Sequence, residues 1–237
     1  TKSASLASDA KFFLPGPLMS ETDGSSQSFA WFGKLPSAGD FVSRRMPYPL
    51  QQYWDQWCAN GMEVLKERNP VSGWALWGAT PKWAFLIPAQ TGIPIGQLGV
   101  IAPSCDRVGR NFPFLVTTPV LEGNLENLLP RAAMLANFWA DAIMQAQATR
   151  APMDTLDAQL SSALVTVLTQ APTDADGEIT LPKGANPLTL PWPGLADNFE
   201  LRGSESYWWS VPPVQTGFRA RTHVGSLSAA HFYSLCS

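Results

Sequence analysis

WAFLIPAQTGIPIGQLGVIAPSCDRVGRNFPFLVTTP, residues 83–119, decides the fold. It holds three apolar runs: WAFLIPA at 83–89, QLGVIAPS at 97–104 and FPFLVTTP at 112–119. Each run is short and bounded by Gly, Pro or polar turn residues, which predicts three strands. Apolar residues follow one another almost without alternation. A strand of that kind is covered on both faces, so helices are expected above and below the sheet. The expected fold is α/β, a three-layer α-β-α sandwich with a mixed sheet.

Moving outward, an amphipathic helix is expected over about 49–67, with Leu50, Tyr53, Trp54, Trp57, Cys58 and Leu65 at helical spacing and Gly61 weakening its middle. After the strands, one long helix is expected over about 125–148, with Pro130 in its first turns. A second follows over 155–170, with Asp154 as its cap. Residues 171–205 are rich in Pro, Gly and Asp and read as an irregular excursion holding short strands around 179–181 and 188–190. YWWSVPP and GFRARTHV then predict two strands, and SLSAAHFYSL a closing helix. Residues 1–28, with the polar stretch SETDGSSQS, read as a flexible leader, and 29–237 as a single domain.

Composition narrows the function. The chain has 237 residues, 45% hydrophobic and 15% charged, with ten tryptophans, so it can bury a sizeable core. A net charge of −3 disfavours nucleic acid as a partner. That charge is uneven: residues 34–110 carry eight Lys/Arg against five Asp/Glu, whereas 154–205 carry eight acids against two bases. No apolar run is long enough to span a bilayer, so the chain is not expected to be membrane-embedded. Cys58, Cys105 and Cys236 are too few and scattered for a disulfide framework or a CxxC metal site. His223 and His231 lack the clustered partners a zinc site needs, so neither a metal nor a cofactor is expected.

Three segments carry chemistry. GKLPSAGDFVSRR (33–45) contains a Gly–Lys pair, but a phosphate loop requires Ser or Thr after the lysine, and here Leu35 follows Lys34. A glycine- and proline-shaped turn is expected instead, with Ser37 or Asp40 satisfying local amides and Lys34 and Arg44 supplying charge. APSCDRVGRNFPF (102–114) places Ser104, Asp106, Arg107 and Arg110 in a turn after a strand. Three readings are open there. Ser104 or Cys105 could be a nucleophile, although no GxSxG elbow surrounds Ser104. Arg107 and Arg110 could bind an anion with Lys34. Asp106 could pair with an arginine and lock the turn. SESYWWSVP (204–212) sets Trp208 and Trp209 side by side. Adjacent strand residues point to opposite faces, so both indoles can be buried only if both faces are covered; otherwise one is free for a partner.

WFGKLPSAGDFVSRR, the WDQW helix and PSCDRVGRNFPF together resemble the N-terminal domain of TagF proteins, the type VI secretion-associated family. The residues that carry the resemblance are Gly33, Lys34, Leu35, Pro36, Gly39, Asp40, Phe41, Val42 and Arg44, then Trp54, Asp55 and Trp57. Pro103, Ser104, Asp106, Val108, Gly109, Arg110, Phe112 and Pro113 follow, and Ser206, Trp208 and Trp209 resemble a later family element. The resemblance spans about 30–235. It implies a cytoplasmic, non-enzymatic protein that represses assembly of the secretion apparatus after translation, by binding a scaffold protein with a forkhead-associated domain. On that reading the charged turns around Lys34–Arg44 and Ser104–Arg110 come together to form, or rigidly support, the partner surface. The alternative is a small-anion receptor or hydrolase using the turn from Ser104 to Arg110.

Overall fold

In the computed structural model, residues 28–90, 92–169, 195, 199–211 and 219–237 are described. Residues 1–27 of the expected leader, and the short strands expected around 179–181 and 188–190, lie outside them. Seven strands form one sheet. They are β1 (Ala30–Gly33), β2 (Val42–Arg44), β3 (Lys82–Ile87), β4 (Gly96–Ala102), β5 (Phe114–Val120), β6 (Glu205–Val211) and β7 (Ala220–Val224). Their order is β2-β1-β5-β4-β3-β6-β7, with the three apolar runs at the centre. The two short strands β1 and β2 escaped the sequence reading because runs of three or four residues carry too little periodicity to register.

Every neighbouring pair is antiparallel, which corrects the expectation of a mixed sheet. The chain is α/β, but the connections β3–β4 and β4–β5 are loops without a crossover helix, and a parallel neighbour would need one. Continuous apolarity misled because it reports covered faces rather than strand direction. Along β3, Trp83, Phe85 and Ile87 enter one apolar cluster while Ala84 and Leu86 enter another.

The helices sort with those clusters. α1 (Tyr48–Arg68), α2 (Gly73–Ala79) and α6 (Ala229–Cys236) contribute Trp54, Trp57, Leu65, Trp77 and Phe232 to the first. α4 (Ala132–Thr149) and α5 (Met153–Thr169) contribute Leu135, Trp139, Ile143, Leu156 and Leu164 to the second. Gly61 is explained here, since a Cβ on it would lie 2.1 Å from the Phe232 ring; the weak helix former is what lets α6 seat on α1. Ser228 caps α6 by accepting from the His231 amide at 3.1 Å.

Two helix expectations need correction. The single helix over 125–148 is broken into α3 (Leu125–Leu128), a 3-10 turn at Leu129–Arg131 and then α4. Pro130 sits in that turn, where its missing N–H and its ring oppose a continuous α-helix. Asp154 is not a cap either. α5 starts at Met153, so Asp154 lies within the first turn and its carboxylate is left to bond elsewhere.

Candidate functional site

The first two motifs meet at the end of β1. Gly33 has φ 138°, and a Cβ there would come within 2.1 Å of the Pro113 carbonyl oxygen. Glycine therefore permits two backbones to touch, and the Lys34 amide donates to that same oxygen at 3.2 Å. The Lys34 ammonium reaches the Asp106 carboxylate at 3.1 Å and lies 5.0 Å from the Phe41 ring centroid. Asp106 also accepts from the amides of Val108 (3.1 Å) and Arg110 (2.9 Å) and from Arg110 Nε (2.6 Å). Its side chain is wholly enclosed, while that of Arg110 is 58% exposed.

Burial alone would push the Asp106 carboxyl up. The Arg110 amide, the Arg110 guanidinium and Lys34 outweigh it and hold the group well below the usual carboxylate range. The cluster is tied further by Ser104 Oγ, which donates to the Lys34 carbonyl at 2.6 Å, and by Arg110, which donates to the Gly39 carbonyl at 2.7 Å. The Arg107 amide donates to the Ala38 carbonyl at 2.7 Å. Lys34, Ser104, Asp106 and Arg110 thus form one closed lock whose donors and acceptors serve each other.

The other expected residues lie elsewhere in that surface or outside it. Asp40 is exposed and accepts from the Phe41 amide at 2.8 Å, a local turn contact. Ser37 is half-buried in the same turn, which is closed by the Ala38 amide donating to the Leu35 carbonyl at 3.0 Å. Arg107 is exposed on the rim. Trp208 and Trp209 are both buried, and they enter different apolar clusters, so neither faces a partner. The Trp208 indole is satisfied by Ser206 Oγ at 3.0 Å.

Arg44 belongs to a second lock that motif reading missed, and this corrects the expectation that the whole charged stretch from Lys34 to Arg44 converges on the turn from Ser104 to Arg110. Arg44 donates to Asp157 at 3.1 Å and to Asp154 at 2.7 Å, both on α5. The neighbouring Arg45, in a left-handed conformation with φ 55°, also pairs with Asp157 and donates to the Phe29 carbonyl at 2.8 Å. The Trp31 indole completes the set at 2.7 Å from Asp157. Burial raises the Asp157 carboxyl, but Arg45, Trp31 and Arg44 together bring it down to about 2. Asp154 and Asp157 at i and i+3 were the available signal, since they share a helix face. Their partners are more than a hundred residues away and could not be read.

The remaining polar groups do not join either lock. His223 and His231 stack on each other with ring centroids 4.2 Å apart. Burial, with His223 and Arg221 nearby, lowers His231 to about 3. A cleft of about 440 Å³ lies between α4 and α5, and none of its lining residues comes from either motif. Among the described residues, no group of three or more His, Cys, Asp or Glu is placed to hold a metal, and no helix is long and apolar enough to cross a membrane.

These features define a class: an α/β domain on a seven-stranded antiparallel sheet whose two signature turns close on one buried aspartate. Residues 30–163, more than half of the chain, match the family described as the TagF N-terminal domain, type VI secretion system-associated. The chain belongs to that family and is a type VI secretion-associated protein. It is similar in fold to the crystal structure of PA0076 from Pseudomonas aeruginosa PAO1, with a TM-score of 0.60 and 23% identity over 89% of this chain and 94% of that one. No curated protein matches it in sequence.

Proposed function

We propose that this TagF-family chain is a non-catalytic, cytoplasmic binding protein that represses assembly of the type VI secretion apparatus after translation, by engaging a scaffold protein with a forkhead-associated domain. The family match supports the secretion role, and the observation that carries the non-catalytic reading is the closed lock. Ser104 Oγ donates to the Lys34 carbonyl, and the Asp106 carboxylate accepts from two amides and two cations. A nucleophile needs an adjacent base and a reachable substrate position, and a hydroxyl and carboxylate so engaged offer neither. The anion-receptor alternative loses its lysine, because Lys34 is buried against Asp106. The same reading takes the two apolar clusters as the two sides of a three-layer α-β-α sandwich.

The test is affinity purification of the tagged chain from its host, with and without the secretion gene cluster, alongside assays of secretion on overproduction. Recovery of the forkhead-associated scaffold and reduced secretion are expected. A tagged chain that lowers secretion no more than an empty vector, and recovers no scaffold, would sink the proposal.

A further inference from the structure

The lock leaves an outer face that it does not use. Phe41 is 44% exposed, yet it is held rigidly: it stacks on Phe32 at 5.6 Å with an interplanar angle of 5° and meets Phe112 edge-on at 4.8 Å. Val108 is 69% exposed at the tip of the neighbouring turn. Both sit on loops anchored to buried strands, so presenting them costs little ordering entropy. Two guanidinium groups approach Gly39, two residues before Phe41. Arg110 donates to its carbonyl at 2.7 Å, and a Cβ at Gly39 would be 3.2 Å from Arg107 Nη2.

The charges there are not balanced. Among the described residues, the Arg107 guanidinium forms no hydrogen bond or ion pair, and Arg110 spends only Nε and one terminal nitrogen on the lock. Asp40 is an acid on this rim, and its carboxylate is turned to the Phe41 amide. A fixed aromatic and a free arginine fork are residue types that interfaces favour, and the exposed valine adds apolar area beside them. Nucleic acid is a poor occupant, since so few cations on an acidic chain cannot track a phosphate backbone.

We infer that the rim formed by Phe41, Arg107, Val108 and the outer part of Arg110 is the docking surface, and that it receives an acidic protein segment bearing an apolar residue. A carboxylate of that segment takes the fork of Arg107, and its apolar side chain lies over Phe41 and Val108. This deepens the binding-protein reading and rests on it, by assigning the face and the partner's chemistry. Arg110 is a poor probe because its loss also opens the lock; Arg107 is the clean one.

The experiment places a photocrosslinking residue at Val108, and separately at the exposed Val165 on α5, in the full chain in its host, and identifies the crosslinked peptides by mass spectrometry. Crosslinks from position 108 to an acidic segment, reduced about tenfold or more by Arg107→Glu while melting stays within about 2 °C of wild type, are expected. An acidic segment of some other protein would uphold the surface and overturn the scaffold assignment. Scaffold crosslinks from position 165 alone would uphold the scaffold and overturn the surface. No crosslink from 108, a crosslink to a second copy of this chain, or one indifferent to Arg107→Glu would each overturn the surface.

Discussion

Asp106 and Asp157 are built from the same parts, a carboxylate between two cations, and they do different jobs. Asp106 bonds largely within its own turn, to Arg110 four residues on and to two amides, and only Lys34 comes from afar. Among the described residues, the partners of the Asp157 side chain all lie more than a hundred residues away. Asp157 joins α5 to the open end of the hairpin formed by β1 and β2, where Trp31 pairs with Arg44, reaching Trp31 across 126 residues. The first is a wholly enclosed charge that shapes a surface loop; the second is a partly exposed tie between elements. Enclosure makes the difference energetically. A buried charge stripped of one partner is costly, whereas an exposed pair is screened by water and salt.

Breaking the enclosed lock should therefore do the most damage. Asp106→Ala leaves the Lys34 ammonium buried without a counter-charge, along with two unserved amides, and should lower Tm by about 10 °C in a thermal melt. A drop of under 2 °C would show that the loop is held by backbone bonds alone. Asp157→Asn should cost about 2 kcal/mol, or roughly 6 °C, because charge-assisted bonds to Arg44, Arg45 and Trp31 weaken together while the helix itself stays intact. If it proved the more damaging of the two, the ranking by enclosure would be wrong.

Acid separates the two carboxylates from His231. His231 is lowered to about 3 from an ordinary value of 6.5, so the unfolded chain binds its proton more readily. Its stabilisation is complete above pH 6.5 and declines as pH falls toward 3. At pH 5.5 the loss relative to neutrality should be about 1.2 kcal/mol, or roughly 4 °C, and His231→Gln should flatten that slope. Asp157, at about 2 against an ordinary 3.8, keeps its contribution above the ordinary value and loses it as pH falls through about 2. Asp106 is held lower still and should titrate last. Smallest of all, Asp154→Ala should move Tm by less than about 2 °C, because Asp154 is 88% exposed; 0.5 M salt should erase even that.

The enclosed lock was the more legible of the two. Asp106 and Arg110 sit four apart in a turn whose glycine and polar residues announce it, and local pairing needs no knowledge of the fold. Lys34 reads from the sequence only as an anion ligand beside Arg107 and Arg110, because nothing local links it to Asp106, 72 residues on. The Asp157 tie was illegible, because Arg44 and Arg45 looked like part of the first motif. Phe41 was legible as a motif residue but not as a surface aromatic. An aromatic in a turn is indistinguishable from a core residue until its neighbours are placed.

What the residue order settled was local: that the five longer runs become strands, where the long helices lie, and that Trp208 and Trp209 must face opposite ways. Periods of two and 3.6 and the chemistry of turns act over a few residues, so they can be read directly. Strand direction, the break at Pro130 and the choice of partners for Arg44 were decided by the assembled chain. Apolar runs covered on both faces look alike in parallel and antiparallel sheets. A carboxylate selects among several arginines only when the backbones have brought one of them within reach.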